Sequence, residues 1–199
     1  MAEGRGGREG AESDLARLLA AADFAARKHR DQRRKSAGAP PYVNHTIAVA
    51  HLLATVGGVT DVAVLMAALL HDTLEDTDAT AAELDAAFGS DVRRLVEEVS
   101  DDRRLASDER KRLQVERAAL LSPRAKLVRL ADKICNVRDI ARTPPVGWSR
   151  ERRAAYFAWT ARVVERLRGS HAALEAAYDA ALAEAERALA AEAESPAPR

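Results

Sequence analysis

The sequence predicts an all-α domain, and three observations support that fold class. Helix caps recur along the chain, among them Asp61, the capping box from Thr80 to Glu83, and Ser122. Between the caps, apolar residues recur every three to four positions, which is the spacing of one helix face. No segment shows the period-two alternation of a half-buried strand. We expect at most a small β-hairpin near residues 33–43, where glycine and prolines interrupt the helical pattern.

The caps and breaks divide the chain into successive helices. The predicted helices cover about 13–30, 46–55, 61–70, 80–89, 90–99, 108–121, 123–141, 149–167 and 170–190. The second ends at the glycine pair 57–58, and Gly89 separates the fourth from the fifth. The third is apolar on all sides, which is typical of a central, buried helix. Ser122 followed by Pro123 is a strong start signal for the seventh.

The composition is that of one soluble globular domain. The chain has 199 residues, of which 47% are apolar and 31% charged. We expect a domain over residues 13–189 between flexible tails at 1–12 and 190–199. The most apolar stretch, 62–70, is less than half of the ~20 residues that span a bilayer. With no signal peptide and a single cysteine, which excludes an internal disulfide, the expected location is cytoplasmic.

Charge is balanced in total but uneven along the chain. There are 31 basic and 31 acidic residues, yet no Lys or Arg lies between positions 36 and 92, a stretch rich in Asp and Glu. A basic run at 27–35 precedes that stretch. Two interpretations stay open: two solvated faces of opposite sign, or one site with a cation on one wall and an anion on the other. A broad nucleic-acid surface is not expected without net positive charge, and neither is a membrane partner.

The segment LLHDTLED, residues 69–76, ends the most apolar helix with an imidazole and three carboxylates. His71 and Asp72 are adjacent, and Glu75 and Asp76 follow them by four positions, so their side chains are expected to project over the same helix end. Carboxylates at a helix C-terminus oppose its dipole, and a divalent metal between the side chains would compensate. The alternative is a helix that simply ends in polar residues.

His45 and Asp132 are two further ligand candidates. His45 follows the Pro-rich loop, and Asp132 interrupts the apolar face of a later helix. Together with His71 and Asp72 they make a set of two imidazoles and two carboxylates from three helices. Mixed nitrogen and oxygen ligands suit Mn, Fe, Co or Zn more than Ca.

The segments PYVNH, AALLHDTLEDTD and KLVRLADKICNVRD resemble the HD superfamily of metal-dependent phosphohydrolases. With AADFAARKHRDQRRK and ERKRLQVE, they are most similar to guanosine-3′,5′-bis(diphosphate) 3′-pyrophosphohydrolases of the metazoan SpoT-homologue type. The resemblance covers about residues 14–180. It implies an HD-domain helical bundle that removes the 3′-pyrophosphate from ppGpp or pppGpp, giving GDP or GTP and ending the stringent-response signal.

The resemblance also implies a role for each site residue. One Mn²⁺ per chain would be held by His45, His71, Asp72 and Asp132. The attacking water would be oriented and deprotonated by Glu75 and Asp76. The nucleotide would be contacted by Arg34, Lys35, Asn136 and Tyr156.

Other functions are open to this sequence. Within enzymes, the alternative is a phosphatase for another ribose-phosphate nucleotide, such as the 2′-phosphate of NADPH. A silent nucleotide sensor would not need Glu75 and Asp76, and a helical scaffold would not need metal-type ligands. In the leading interpretation the only partner is a small-molecule nucleotide.

Overall fold

A computed structural model describes the backbone of residues 6–194 and the side chains of residues 14–192. Its helices are α1 Gly6–Lys28, α2 Val43–Thr55, α3 Val62–Leu70, α4 Thr73–Asp76, α5 Ala81–Val99, α6 Ser107–Arg117, α7 Pro123–Arg142, α8 Arg150–Glu165 and α9 Ala172–Glu194. No strand occurs within the described backbone, which carries only isolated bridges between Arg33 and Pro41 and between Ser36 and Pro145. The predicted all-α fold is confirmed.

Two helices form the centre of the domain. α3 packs against α1, α2, α5 and α7, whereas α7 packs against α2, α3, α5, α8 and α9. Nearly every residue of α3 is buried, as the apolar sequence predicts. The ends of these central helices therefore bring any polar residues that they carry into the interior of the bundle.

The predicted caps lie where the sequence places them. The Asp61 carboxylate accepts hydrogen bonds from the N–H groups of residues 63 and 64, at 3.0 and 3.4 Å. Thr80 and Glu83 form the reciprocal capping box, and the Ser122 hydroxyl caps α7. At Gly89 the backbone of α5 leaves helical geometry, with φ 84° and ψ 162°. Local hydrogen bonding therefore fixes the helix starts, and one glycine sets the kink in α5.

The segment LLHDTLED differs from its predicted form. α3 ends at Leu70, His71 and Asp72 form a turn, and the four residues Thr73–Asp76 make the separate short helix α4. The Thr73 hydroxyl donates to the Leu70 carbonyl at 2.7 Å, and the Asp76 N–H donates to the Asp72 carbonyl at 2.8 Å. Glu75 and Asp76 thus sit on a turn of their own instead of over the end of α3.

The helix bounds differ from prediction at several other points. α1 begins at Gly6 and α9 ends at Glu194, so helical backbone runs into both segments that the sequence assigns to tails. Residues 1–5 and 195–199 of those tails lie outside the described residues, and the domain bounds stay a prediction. α6 ends at Arg117 and is followed by one 3₁₀ turn over 118–120. Among the described residues, none of the helices is both long and apolar enough to cross a bilayer.

The basic turn, residues 32–42, folds back on itself between α1 and α2. The Arg34 N–H donates to the Pro40 carbonyl at 2.9 Å, and the Tyr42 N–H donates to the Gln32 carbonyl at 3.0 Å. A further bond from the Val146 N–H to the Lys35 carbonyl, at 2.8 Å, ties this turn to the loop between α7 and α8. The expected hairpin is thus reduced to a single bridge, and the turn has a fixed position beside α7.

The kink at Gly89 yields a test of stability. Gly89→Ala places a Cβ in a backbone conformation that only glycine adopts readily, so the free energy of unfolding should fall by about 1–3 kcal/mol. Gly38→Ala is the control, because its Cβ meets no atom within 4 Å and its φ is not in the left-handed region. Urea unfolding of both variants measures the difference. Equal stabilities would show that the kink carries no strain for alanine.

Candidate active site

Four polar side chains from α2, α7 and the end of α3 meet inside the bundle. Ligand-type atoms of His45, His71 and Asp72 all lie within 4.8 Å of one another. Asp132 Oδ1 lies 3.2 Å from His45 Nε2 and 3.7 Å from His71 Nε2. Both imidazoles and Asp132 are buried. The structure therefore brings all four predicted ligands together, with Asp132 placed by its contacts to the two histidines.

Neighbouring groups hold these side chains in fixed orientations. His71 Nδ1 lies 2.8 Å from the Ala68 carbonyl, a contact that directs Nε2 toward the cluster. The Tyr42 hydroxyl donates to Asp72 Oδ2 at 2.6 Å. On α7, the Asn136 amide donates to Asp132 Oδ1 at 2.6 Å, and the buried Lys133 ammonium lies 3.2 Å from the other carboxylate oxygen. Each side of the cluster is thus braced by a different element.

The charges of the cluster fit a bound divalent cation. Burial acts to lower the pKa of His71, but the neighbouring carboxylates of Asp72 and Asp132 raise it above its ordinary value. Burial acts to raise the pKa of Asp72, yet His71 holds it well below its usual range. His71 Nε2 lies 2.9 Å from Asp72 Oδ2, and His45 Nε2 lies 3.2 Å from Asp132 Oδ1. A buried group of imidazoles and carboxylates that face one another in this way can bind a divalent metal.

Glu75 faces α6 and the loop that precedes it. Arg110 Nη1 donates to Glu75 Oε1 at 3.1 Å, and the Asp101 N–H donates to Oε2 at 3.2 Å. Burial raises the pKa of Glu75 to about 7, and the negative charges of Asp101 and Asp72 add to the shift. A carboxyl with a pKa near neutrality can take up and release protons under physiological conditions.

Asp76, unlike its neighbour Glu75, lines a cavity. Its Oδ2 accepts from Gln32 Nε2 at 2.8 Å, and its Oδ1 lies 3.3 Å from Arg103 Nη1. Gln32 also contacts the buried His29 ring, which stacks on Tyr42 with a centroid separation of 5.0 Å. The end of α1 therefore supports both Asp76 and the tyrosine that binds Asp72.

The cavity has a volume of about 420 Å³ and connects the cluster to the basic turn. Its lining includes His45, Asp76, Tyr42, Arg34, Lys35, Asn136 and Tyr156. Arg34 donates through Nη2 to Asn136 Oδ1 at 3.0 Å and to Asp139 Oδ2 at 2.8 Å. Cationic side chains thus line the same space as His45 of the cluster and the Asp76 carboxylate, which favours the interpretation of one site with two walls of opposite charge.

Aromatic rings form the far part of this cavity. Tyr156 contacts Trp148 and Trp159 with ring centroids 5.6 and 5.2 Å apart, and both Trp148 and Tyr156 line the cavity. Tyr156 is half-buried, and burial raises the pKa of its phenol well above the ordinary value, so the hydroxyl stays neutral. A neutral aromatic wall beside a guanidinium can hold a flat, hydrogen-bonding ring.

Several residues of the site were not predicted from the sequence. Tyr42, Gln32, Arg103 and Arg110 all contact a predicted site residue, yet none of them was assigned a role from the sequence. For Tyr42 a signal did exist, because it lies three residues before His45 and a phenol there can reach the same cluster. The other three are brought to α4 by segments distant in sequence.

The raised pKa of Glu75 predicts a pH-dependent stability in metal-free protein. The pKa of Glu75 in the folded state, about 7, exceeds the ordinary 4.5. Between these two pH values the folded state therefore keeps a proton on Glu75 that the unfolded state has released. Stability should therefore fall as pH rises from 4.5 to 7, and Glu75→Gln should abolish that loss. The measurement is the thermal midpoint of Glu75→Gln minus that of wild type, at pH 5 and at pH 8. This difference should be larger at pH 8. Glu165→Gln is the control, because that side chain is 75% exposed; a difference that did not grow with pH would contradict the assignment.

Comparison with known proteins identifies the family. The profile of the HD domain matches residues 21–157. The human guanosine-3′,5′-bis(diphosphate) 3′-pyrophosphohydrolase MESH1 is 58% identical over 165 residues, which cover 83% of this chain and 92% of the relative. MESH1 of Drosophila melanogaster is 51% identical over 164 residues, 82% of this chain and 92% of the relative.

Solved structures agree with this result. The structure of a metazoan orthologue of SpoT that hydrolyses ppGpp matches with a TM-score of 0.83 and 49% identity, covering 87% of this chain and 97% of that one. The similarity extends over nearly all of both chains and includes the helices that carry the cluster. The chain therefore belongs to the HD-domain family, in the branch of guanosine-3′,5′-bis(diphosphate) 3′-pyrophosphohydrolases.

Proposed function

We propose that this chain is a divalent-metal-dependent hydrolase that removes the 3′-pyrophosphate from ppGpp and pppGpp. Water adds to the phosphorus attached to the ribose 3′-oxygen, the bond between that phosphorus and oxygen breaks, and the products are pyrophosphate and GDP or GTP. The relatives named above carry this activity in their names and align over more than four-fifths of the chain.

One observation carries the proposal: a single cavity extends from His45, at the edge of the metal-type cluster, to the basic turn. A substrate with a sugar between two anionic ends needs one place where a phosphoryl group meets a metal and another where the remaining phosphates meet cations. His45 and Asp76 line the same 420 Å³ space as Arg34 and Lys35. Neither a binding module nor a scaffold accounts for a buried cluster of ligand-type side chains that reaches this space through His45.

The metal would be held by His45, His71, Asp72 and Asp132. When bound, a divalent cation polarises the phosphoryl group and lowers the pKa of water. Two imidazoles with two carboxylates suit a first-row transition metal, and among these we propose one Mn²⁺ per chain. The Ala68 carbonyl and the Tyr42 hydroxyl orient two of the four ligands in advance, so little rearrangement is needed on binding.

The remaining side chains divide into substrate contacts and proton acceptors. Arg34 and Lys35 would bind phosphate, Asn136 would contact the ribose or a phosphate, and Tyr156 would pack beside the nucleotide. Their position in the cavity lining supports these roles. Glu75 and Asp76 would orient and deprotonate the attacking water. The Asp76 carboxylate lines the cavity, whereas Glu75 does not. The pKa of Glu75, about 7, would let it take up the proton from Asp76.

The comparisons give no support to the alternative, a phosphatase that acts on the 2′-phosphate of NADPH, because the relatives named above are called ppGpp hydrolases. NADPH therefore serves as the comparison substrate in the assay below. We further propose a cytoplasmic location, where nucleotides are abundant and the buried free thiol of Cys135 stays reduced.

The contact between Tyr42 and Asp72 predicts a specific loss of metal affinity. Tyr42→Phe removes the hydroxyl that donates to Asp72 Oδ2, so Mn²⁺ should bind about 10- to 100-fold more weakly. Tyr178→Phe is the matched control, because its buried hydroxyl contacts Thr160 instead of the cluster. Titration with Mn²⁺ followed by calorimetry measures both affinities. An equal effect of the two substitutions would show that the loss is one of general stability.

The proposed activity is tested by turnover of the purified chain. Protein loaded with Mn²⁺, Mg²⁺ or Zn²⁺ is incubated with ppGpp and with NADPH, and the products are separated. We expect GDP and pyrophosphate from ppGpp, highest activity with Mn²⁺, and little release of phosphate from NADPH. The double variant Glu75→Gln/Asp76→Asn should retain Mn²⁺ and lose at least ~10²-fold in turnover, the usual scale for loss of a general base.

The matched control for the double variant is Asp78→Asn/Glu83→Gln. These carboxylates pair with Lys28 on the outer surface and undergo the same chemical change. They should leave turnover unchanged. Near-normal turnover in Glu75→Gln/Asp76→Asn would place water activation elsewhere, and loss of Mn²⁺ from that variant would make those carboxylates ligands. Phosphate release from NADPH without hydrolysis of ppGpp would overturn the proposed function.

A further inference from the structure

Arg103 reaches the cavity beside Asp76 from the loop of residues 100–106, between α5 and α6. Its Nη1 lies 3.3 Å from Asp76 Oδ1 and donates to the Glu75 carbonyl at 3.1 Å. The side chain lines the same cavity as His45 and Lys35 and is 58% exposed. A guanidinium thus stands next to the carboxylate that we propose as a proton acceptor, where it is free to reorient.

Arg103 differs from Arg34 and Arg110, two other arginines near the site. Arg34 is only 18% exposed and is held by both Asn136 and Asp139. Arg110 is 28% exposed, binds Glu75, and does not line the cavity. The pair of Arg103 with Asp76 is solvent-exposed on the arginine side, and such pairs contribute little to stability. Of these three, Arg103 can therefore change partner at the smallest cost.

A phosphoryl group is the partner that would draw Arg103 from Asp76. A pyrophosphate carries more negative charge than one carboxylate and offers oxygens that match the fork of a guanidinium. On the proposed function, the 3′-pyrophosphate has to approach Asp76, because the attacking water lies between them. The position of Arg103 next to Asp76 assigns it to that end of the substrate and not to the nucleoside end.

We infer that Arg103 binds the 3′-pyrophosphate, exchanging its contact with Asp76 for contacts with phosphoryl oxygens. This inference rests on the proposed function. In the free protein the guanidinium pairs with Asp76. In the complex it would pair with the substrate instead.

The adjacent residue Arg104 provides a matched control. Arg104 is 90% exposed, pairs with Asp102 and does not line the cavity. The two arginines share a loop and a charge, so a change in net charge or in loop flexibility would affect both substitutions alike. A contact with the substrate would affect Arg103 alone.

The experiment compares Mn²⁺-loaded wild type, Arg103→Ala, Arg103→Lys and Arg104→Ala. Initial rates give KM and kcat for ppGpp, and inhibition constants are measured for pyrophosphate and for GDP. In Arg103→Ala, KM and the inhibition constant of pyrophosphate should rise by on the order of 10- to 100-fold, the scale of a lost charge-assisted hydrogen bond. Arg103→Lys should lose less, because it keeps the charge. The inhibition constant of GDP and the thermal midpoint should match wild type, and so should every value of Arg104→Ala.

Two outcomes would overturn the inference while leaving the proposed function intact. A pyrophosphate inhibition constant within about twofold of wild type in Arg103→Ala would show that Arg103 does not bind that end, even if kcat fell. Equal losses in Arg103→Ala and Arg104→Ala would assign the effect to loop charge. If wild type itself did not hydrolyse ppGpp, the proposed function would fail first, and the inference with it.

Discussion

Every part of this fold depends on keeping two imidazoles and two carboxylates together in the interior. Burying an unpaired charge is costly, so such a group persists only if it is compensated by partners or by a cation. Here α3 supplies the means: it is apolar along its whole length, packs against four other helices, and delivers His71 and Asp72 at its end. α7 crosses beside it and supplies Asp132. The bundle of apolar helices is thus the scaffold for a polar centre whose negative charge a bound cation would compensate.

A layer of hydrogen bonds connects this centre to the surface that would meet the substrate. On one side Asp132 accepts from Asn136, and Asn136 in turn accepts from Arg34 in the basic turn. On the other side Asp72 accepts from Tyr42, which stacks on the buried His29. A phosphate that engages Arg34 would therefore touch a chain of contacts that ends on Asp132, a proposed metal ligand. The position of the basic turn is consequently not independent of the geometry of the cluster.

The sequence was sufficient for whatever depends on neighbours along the chain. Asp61 and Ser122 cap helices at the predicted places, and Gly89 sets a kink, because each acts on backbone groups within a few residues. The ligand set was also predictable, since imidazoles and carboxylates on apolar helices are costly to bury unless a cation binds them. The form of the HDTLED turn was not predictable. Hydrogen bonds from Thr73 and Thr77 make it a separate helix, and the periodicity of side chains does not indicate such bonds.

Contacts between distant segments could not be predicted from the sequence, and the reason is physical. Arg103 and Arg110 are ordinary members of a charged region, and nothing local distinguishes them from Arg104 or Arg112. They become part of the site only in the folded chain, where Arg103 pairs with Asp76 and Arg110 pairs with Glu75. The composition indicated part of this result. Residues 36–92 include no Lys or Arg, so the carboxylates in this stretch pair with cations from other segments of the chain.

Because their cationic partners come from other segments, the adjacent carboxylates of Glu75 and Asp76 have different properties. Glu75 is enclosed by Arg110 and the Asp101 N–H, and burial raises its pKa to about 7. Asp76 opens onto the cavity and is held only by Gln32 and a solvent-exposed guanidinium. On the proposed function, two carboxylates in such different environments would divide one proton transfer: Asp76 would accept the proton from the reacting water, and Glu75 would hold it near neutral pH. The division follows from the turn at His71 and Asp72, since a continuous helix would have pointed both carboxylates over the same end.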